Sequence, residues 1–140
     1  MTLEEGVPLG RFTTLGTGGP ARAFARPESL DELHEALRWA AEHDAGVATV
    51  GLGSNLLVAD QGVDALVLKL GGALANVELD GELVRAGGGA ANAVVLHRVR
   101  DAGLGGFEFA CAIPGTTGGG VWMNAGATAA TTRRCSSVRS

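Results

Sequence analysis

The sequence predicts an α+β fold, and three observations carry that prediction. A strongly amphipathic helix stands early in the chain, short apolar runs follow it, and an Asp-Gly hairpin signal separates these from a second helix. The order is strand-helix-strand-strand, then hairpin-helix, without the regular alternation that a doubly wound sheet requires. At 140 residues there is room for one ordinary domain or two small subdomains. Glycine accounts for 23 of them, more than twice the usual ~7%, with only 4 prolines and no G-X-Y period. Collagen and a Pro/Gly-rich disordered chain are thereby excluded, and 46% apolar content against 19% charged content speaks for a packed core.

Ser29-Leu30-Asp31-Glu32 forms a capping box, a hydroxyl for the N3 amide and a carboxylate reaching back. Leu30, Leu33, Leu37 and Ala40/Ala41 then recur at helical spacing, and Gly46 is the expected stop. Val47–Val50 and Ala65–Leu70 are short apolar runs with β-branched content, expected as strands. Residues 76–79 and 82–85 flank Asp80-Gly81, a type I′ hairpin signal that would pair Val77 with Val84. The second helix is expected from Ala90 to about Asp101, with Val94, Val95 and Val99 inward and Gly103 ending it. Gly71-Gly72 is a candidate joint between the halves.

Net charge is −4, with no basic footprint for nucleic acid. No run of about 18 apolar residues predicts a membrane span, and the acidic start is no signal peptide. Two cysteines without a secretory leader point to a reducing, cytoplasmic setting. Cys111, amid apolar residues, is expected in the core, and no CxxC supports zinc. His34, His43 and His97 have no second ligand at metal spacing, so they are expected at the surface or at helix ends and no metal site is assigned. Glu108, between Phe107 and Phe109, is expected as a structural anchor, and Trp39 as packing. Arg22 and Arg26 are read as solvated surface, with cofactor phosphate as the other reading.

Two glycine clusters carry more than turns. Val50-Gly51-Leu52-Gly53 opens like a dinucleotide fingerprint, but Leu56 stands where the third glycine belongs and no amphipathic helix follows, so a Rossmann reading fails. Successive backbone N–H groups in such a turn still form an anion-binding nest, with Ser54 and Asn55 as further donors. Downstream, Ile113-Pro114-Gly115-Thr116-Thr117-Gly118-Gly119-Gly120 combines a turn, two hydroxyls and a strip without side-chain bulk. A flat, polar-edged ligand would lie against it; the alternative is a loop into a short buried helix, Val121–Met123.

The segments VGLGSNLLVADQG, GLGGFEFACAIPGTTGGGVWMNAGA and the earlier TLGTGGPA resemble the bacterial UDP-N-acetylenolpyruvoylglucosamine reductase family, over about residues 9–127. The resemblance implies a two-subdomain FAD-binding fold of the vanillyl-alcohol-oxidase type, incomplete here, with the cofactor between the halves. Residues 1–70 would form the first subdomain and 71–127 the second. Gly51, Leu52, Gly53, Ser54, Asn55 and Leu56 would wrap the FAD pyrophosphate. Ile113, Pro114, Gly115, Thr116, Thr117 and Gly119, with Asn124 and Gly126, would line its ribityl and isoalloxazine parts. In the family, NADPH reduces the FAD and the reduced flavin passes hydride to an enolpyruvyl nucleotide sugar, completing UDP-N-acetylmuramate for peptidoglycan. The family's Arg, Ser and Glu for that step lie downstream of MNAGA, so no catalytic residue is assigned and the chain alone is expected to be inactive. Another oxidase-type flavoprotein fragment and a non-catalytic flavin-binding remnant are the alternative readings.

Residues 128–140 form an aberrant basic tail with three Arg and no acid, where the family continues with Tyr-Gly. Suitable synonymous codons read one base earlier restore Tyr-Gly and then an apolar run. The expectation is a one-base deletion near codon 127, with a truncated product.

Overall fold

The computed structural model describes residues 2–127 and 130–131. The chain divides into two compact units with the joint between Leu74 and Ala75. Gly71 and Gly72, three residues earlier, are held inside the first: Gly71 N–H donates to the Pro27 carbonyl at 3.0 Å, and a Cβ on Gly72 would lie 2.7 Å from the Glu28 carbonyl oxygen.

The first unit is a four-stranded mixed sheet with one long helix. Strands β1 (Leu3–Pro8), β2 (Pro20–Ala25), β3 (Gly46–Thr49) and β4 (Val63–Leu68) lie in the order β1-β2-β4-β3. β1 pairs antiparallel with β2, while β2 and β3 both run parallel to β4. Helix α1 (Leu30–Glu42) makes the crossover from β2 to β3. Ala23, Ala25, Leu66 and Leu68 pack with Ala36 and Ala40 of α1 in one cluster. Ala21, Phe24 and Val67 join Leu9 and Val50 in another. Ala21 and Ala23 share parity yet fall in different clusters because the register shifts between them. From Ala65 to Leu68 β4 is therefore buried on both faces, which is why that part of the strand is an unbroken apolar run.

The capping box is present: Ser29 Oγ accepts from Glu32 N–H at 3.2 Å, and the Glu32 carboxylate accepts from Glu28 N–H at 2.8 Å. Three details of this helix differ from expectation. Its inward stripe is Leu33, Ala36 and Ala40, while Leu30 and Leu37 are 62% and 39% exposed. Small residues let the helix axis approach Leu66 and Leu68 closely; leucines at 36 and 40 would hold it off. The helix ends at Asp44, in the left-handed region at φ 48°, with Ala45 N–H donating to the Ala40 carbonyl in a Schellman closure. Gly46 already belongs to β3.

The second unit holds the hairpin of β5 (Val77–Asp80) and β6 (Leu83–Ala86), helix α2 (Asn92–Asp101), a 3-10 turn (Glu108–Ala112) and the short helix α3 (Thr117–Trp122). Two-residue strands β7 (Gly126–Ala127) and β8 (Ala130–Thr131) pair antiparallel. In the hairpin the loop is Gly81-Glu82, not Asp80-Gly81, and Val77 pairs with Ala86 rather than Val84. Gly81 takes φ +59° at the first central position while Glu82 stays negative, the type II′ pattern. This register puts Val77, Leu79, Val84 and Ala86 on one face, where they pack with Val95 and Val99 of α2. Val94, expected inward, is 48% exposed. Gly103 does close α2, at φ +69°. Cys111 is exposed rather than in the core, because only Ala110 of its 3-10 turn faces inward. Of the tail from 128 to 140 only residues 130–131 are described, so the expectations for it otherwise lie outside the described residues.

Candidate functional site

The three parallel strands end at one edge of the first sheet, and a polar segment follows each end. Arg26 follows β2, the loop from Gly51 follows β3 after Val50, and Lys69 follows β4. Carboxyl ends of parallel strands are the usual ligand edge of open sheets, where the connecting loops leave the ladder and border a crevice. Val50 N–H donates to the Leu68 carbonyl and Lys69 N–H to the Ala25 carbonyl, at 2.9 and 3.0 Å. These bonds fix the three segments beside one another.

Gly51, Leu52, Gly53, Ser54, Asn55 and Leu56 form one contiguous loop, with only Gly53 buried. Gly53 has φ +69°, and a Cβ there would overlap the Phe12 carbonyl oxygen. This glycine therefore serves packing within the unit and brings the loop against Phe12. Two of the loop's carbonyls are tied down: Lys69 Nζ donates to that of Gly51, and Thr14 N–H donates to that of Gly53 at 3.0 Å. Among the described residues, the N–H groups of Gly51, Leu52, Gly53 and Asn55 donate to no protein acceptor. A turn with occupied carbonyls and spare N–H groups presents a positive surface, which is the donor set a diphosphate takes. The residues fit the pyrophosphate of FAD on that ground.

Beside the loop, Phe12 and Phe24 stack with ring centroids 4.7 Å apart. The Arg26 guanidinium lies 5.2 and 5.5 Å from the two centroids, and Lys69 Nζ lies 5.9 Å from that of Phe12. Burial, and then the nearby Arg26, hold the Lys69 ammonium below the ordinary lysine value of 10.5. Arg22 points elsewhere, donating to the Asp64 carboxylate and the His43 carbonyl at 3.4 and 3.0 Å. Lys69 and Phe12 were not singled out from the sequence; their relation to the loop rests on strand pairing across long chain separations.

In the second unit, the strip from Ile113 to Gly119 is held mostly by its own neighbours. Thr116, buried, accepts from Gly119 N–H at 3.4 Å and caps α3, and Thr117 Oγ1 donates to the Ala90 carbonyl at 3.1 Å. Both hydroxyls expected to face a ligand thus have internal partners. Gly118 packs on backbone, where a Cβ would sit 2.9 Å from the Gly88 oxygen. Asn92, buried and absent from the sequence-based site, clamps the strip: its Nδ2 donates to the Ile113 carbonyl at 3.3 Å and its N–H to that of Gly115 at 3.0 Å. An amide at the start of a valine-rich helix was the available signal. Asn124 takes φ +46° and ends α3, with Ala125 N–H donating to the Gly120 carbonyl at 2.8 Å. Gly126 lies in β7, and Pro114 leads into Gly115 at φ +133°. The alternative of a buried Val121–Met123 segment does not hold, since Trp122 is 84% exposed. Glu108 is an anchor: its carboxylate accepts from Gly106 N–H at 2.8 Å, and backbone donors hold its pKa below the ordinary value.

Similarity to known proteins bears on the same residues. The chain is 48% identical over 125 residues to UDP-N-acetylenolpyruvoylglucosamine reductase 2 of Symbiobacterium thermophilum, covering 89% of this chain and 41% of that protein. It is 42% identical over 120 residues to the UDP-N-acetylenolpyruvoylglucosamine reductase of Bacillus subtilis, covering 86% and 40%. The crystal structure of UDP-N-acetylenolpyruvylglucosamine reductase from Thermus caldophilus superposes with a TM-score of 0.80 at 36% identity, over 94% of this chain and 46% of that one. The chain therefore spans about two-fifths of the length of the curated relatives it matches. The FAD binding domain family matches residues 21–139, a stretch that includes both the Gly51 loop and the Ile113 strip. By that match, and with a loop whose donors suit a diphosphate, this chain belongs to the FAD binding domain family.

Proposed function

We propose that this chain is the FAD-binding portion of a UDP-N-acetylenolpyruvoylglucosamine reductase. The whole protein would carry out NADPH-dependent reduction of an enolpyruvyl nucleotide sugar to UDP-N-acetylmuramate for peptidoglycan, in the cytoplasm. The observation that carries the reading is the Gly51–Asn55 loop, in which the Gly51 and Gly53 carbonyls are occupied while, among the described residues, the N–H groups of Gly51, Leu52, Gly53 and Asn55 meet no protein acceptor. Gly51–Leu56 hold the cofactor's pyrophosphate through backbone donors, with Ser54 and Asn55 exposed at the rim. Ile113–Thr117, Gly119, Asn124 and Gly126 present a strip of low bulk to its ribityl and ring portion, kept in shape by Asn92. FAD, when bound, supplies the hydride chemistry; these residues bind and orient it. No residue of this chain is given an acid–base role, and the 140 residues alone are not expected to turn over substrate. No helix among the described residues is long and apolar enough to cross a membrane.

Fluorescence titration of the purified 140-residue chain with FAD and with riboflavin tests the reading. FAD is expected to bind at least about tenfold more tightly, because only FAD brings a diphosphate to charge-assisted backbone donors. Equal affinity for the two, or no flavin binding at all, overturns it.

A further inference from the structure

Lys69 is the only lysine in the chain. Its ammonium sits under the glycine loop and donates to the Gly51 carbonyl. No described peptide bond is cis, so each carbonyl and the N–H of the next residue point in opposite directions. A donor holding the Gly51 oxygen from below therefore turns the Leu52 N–H outward, away from Lys69. Thr14 N–H holds the Gly53 carbonyl two peptides further on. Among the described residues, neither Lys69 nor Arg26 pairs with a carboxylate. Two cations thus flank the loop with aromatic faces beside them and no counter-charge, which leaves the edge electropositive.

From this arrangement we infer that Lys69 is a positioning residue, which orients the Gly51–Asn55 loop for a diphosphate by fixing the Gly51 peptide from behind. The inference deepens the FAD reading and rests on it for the identity of the ligand. Lys69 touches the loop rather than the phosphates, so its removal should loosen the donors as well as lower the local charge. Burial and Arg26 already disfavour its charge, and an anion bound above would offset both.

The test uses the whole 140-residue chain and two variants. Lys69→Gln keeps a donor toward the Gly51 carbonyl and removes the charge, while Lys69→Met removes both. Lys69→Met is expected to weaken FAD and inorganic pyrophosphate about tenfold, the scale of a hydrogen bond made by a charged group, and to leave riboflavin unchanged. Lys69→Gln should fall between, with a shallower dependence on salt. In ligand-free amide NMR spectra, the Leu52 resonance should move in Lys69→Met and stay nearly in place in Lys69→Gln. FAD affinity unchanged by Lys69→Met overturns the positioning role and leaves the FAD reading standing. A parent chain that binds no FAD overturns the FAD reading instead, and the Leu52 resonance then decides the role of Lys69. If Lys69→Met does not fold, Lys69→Gln decides: parental affinity and an unchanged salt dependence overturn the inference.

Discussion

Replacing Gly53 with alanine should cost far more than backbone strain alone, and a matched control separates the two contributions. Gly53 has φ +69° and Gly16 has φ +70°, both in the first unit. A Cβ at Gly16 meets nothing within 4 Å, whereas one at Gly53 would lie 2.7 Å from the Phe12 carbonyl carbon and 2.8 Å from Thr13 Cα. Left-handed strain alone costs about 1–2 kcal/mol, and this is the whole expected cost of Gly16→Ala. In Gly53→Ala the loop must also retreat from Phe12. That breaks the bond from Thr14 N–H to the Gly53 carbonyl, worth about 1 kcal/mol, and disturbs the Phe12–Phe24 stack, worth about 0.5–1.5 kcal/mol. The expected loss is about 3–4 kcal/mol, a large share of the ~5–15 kcal/mol a domain has. Thermal unfolding of both variants reads the difference, with Gly53→Ala lower in Tm than Gly16→Ala by roughly 10 °C. Equal Tm values would refute the claim that Gly53 is required by its contact with Phe12.

Two other perturbations follow from the same unit. Ser29→Ala removes the side-chain cap of α1 and should cost about 1 kcal/mol in urea denaturation, with Ser29→Asp retaining most of it. Lys69 has a lowered folded-state pKa, so between that value and the unfolded 10.5 the unfolded chain binds more protons. The stability Lys69 contributes is therefore fully present above about 10.5 and is lost as pH falls through the lowered value. The chain has no Tyr and no other Lys, which leaves few groups to obscure this window. The parent should gain stability with rising pH there relative to Lys69→Met, and parallel profiles would contradict the burial argument.

What could be read from the sequence follows the range of the interactions involved. The α1 cap was legible because both partners lie within four residues, and the hairpin because Gly81 marks it. The hairpin register was not, since Asp80-Gly81 and Gly81-Glu82 are both acceptable turns and only packing against α2 separates them. The helix face was only half placed: Leu33 and Ala40 pack inward as expected, but Leu30 and Leu37 signal burial more loudly than Ala36, although a sheet packed this closely needs the alanine. Strands β1 and β2 carried weak signals; Pro20–Ala25 is half alanine, and its burial comes from pairing with β4 some forty residues away. The glycine loop was visible as a motif, and Phe12 and Lys69 around it were not, because strand order brings them there. In the second glycine strip the residue types were legible but not their use, since the threonine hydroxyls find partners inside the unit.

The two tryptophans give the molecule separate optical reporters. Trp39 belongs to the first unit and stacks on His43, with ring centroids 4.3 Å apart, while Trp122 belongs to the second and is 84% exposed. With no tyrosine in the chain, intrinsic emission comes from these two indoles. Trp122, being exposed, is expected to emit as a solvated indole, so unfolding of its unit should leave its wavelength nearly unchanged. Trp39 loses a stacked, half-covered environment when its own unit opens. A red shift during denaturation therefore reports the unit that carries the Gly51 loop, and circular dichroism is needed to follow the other.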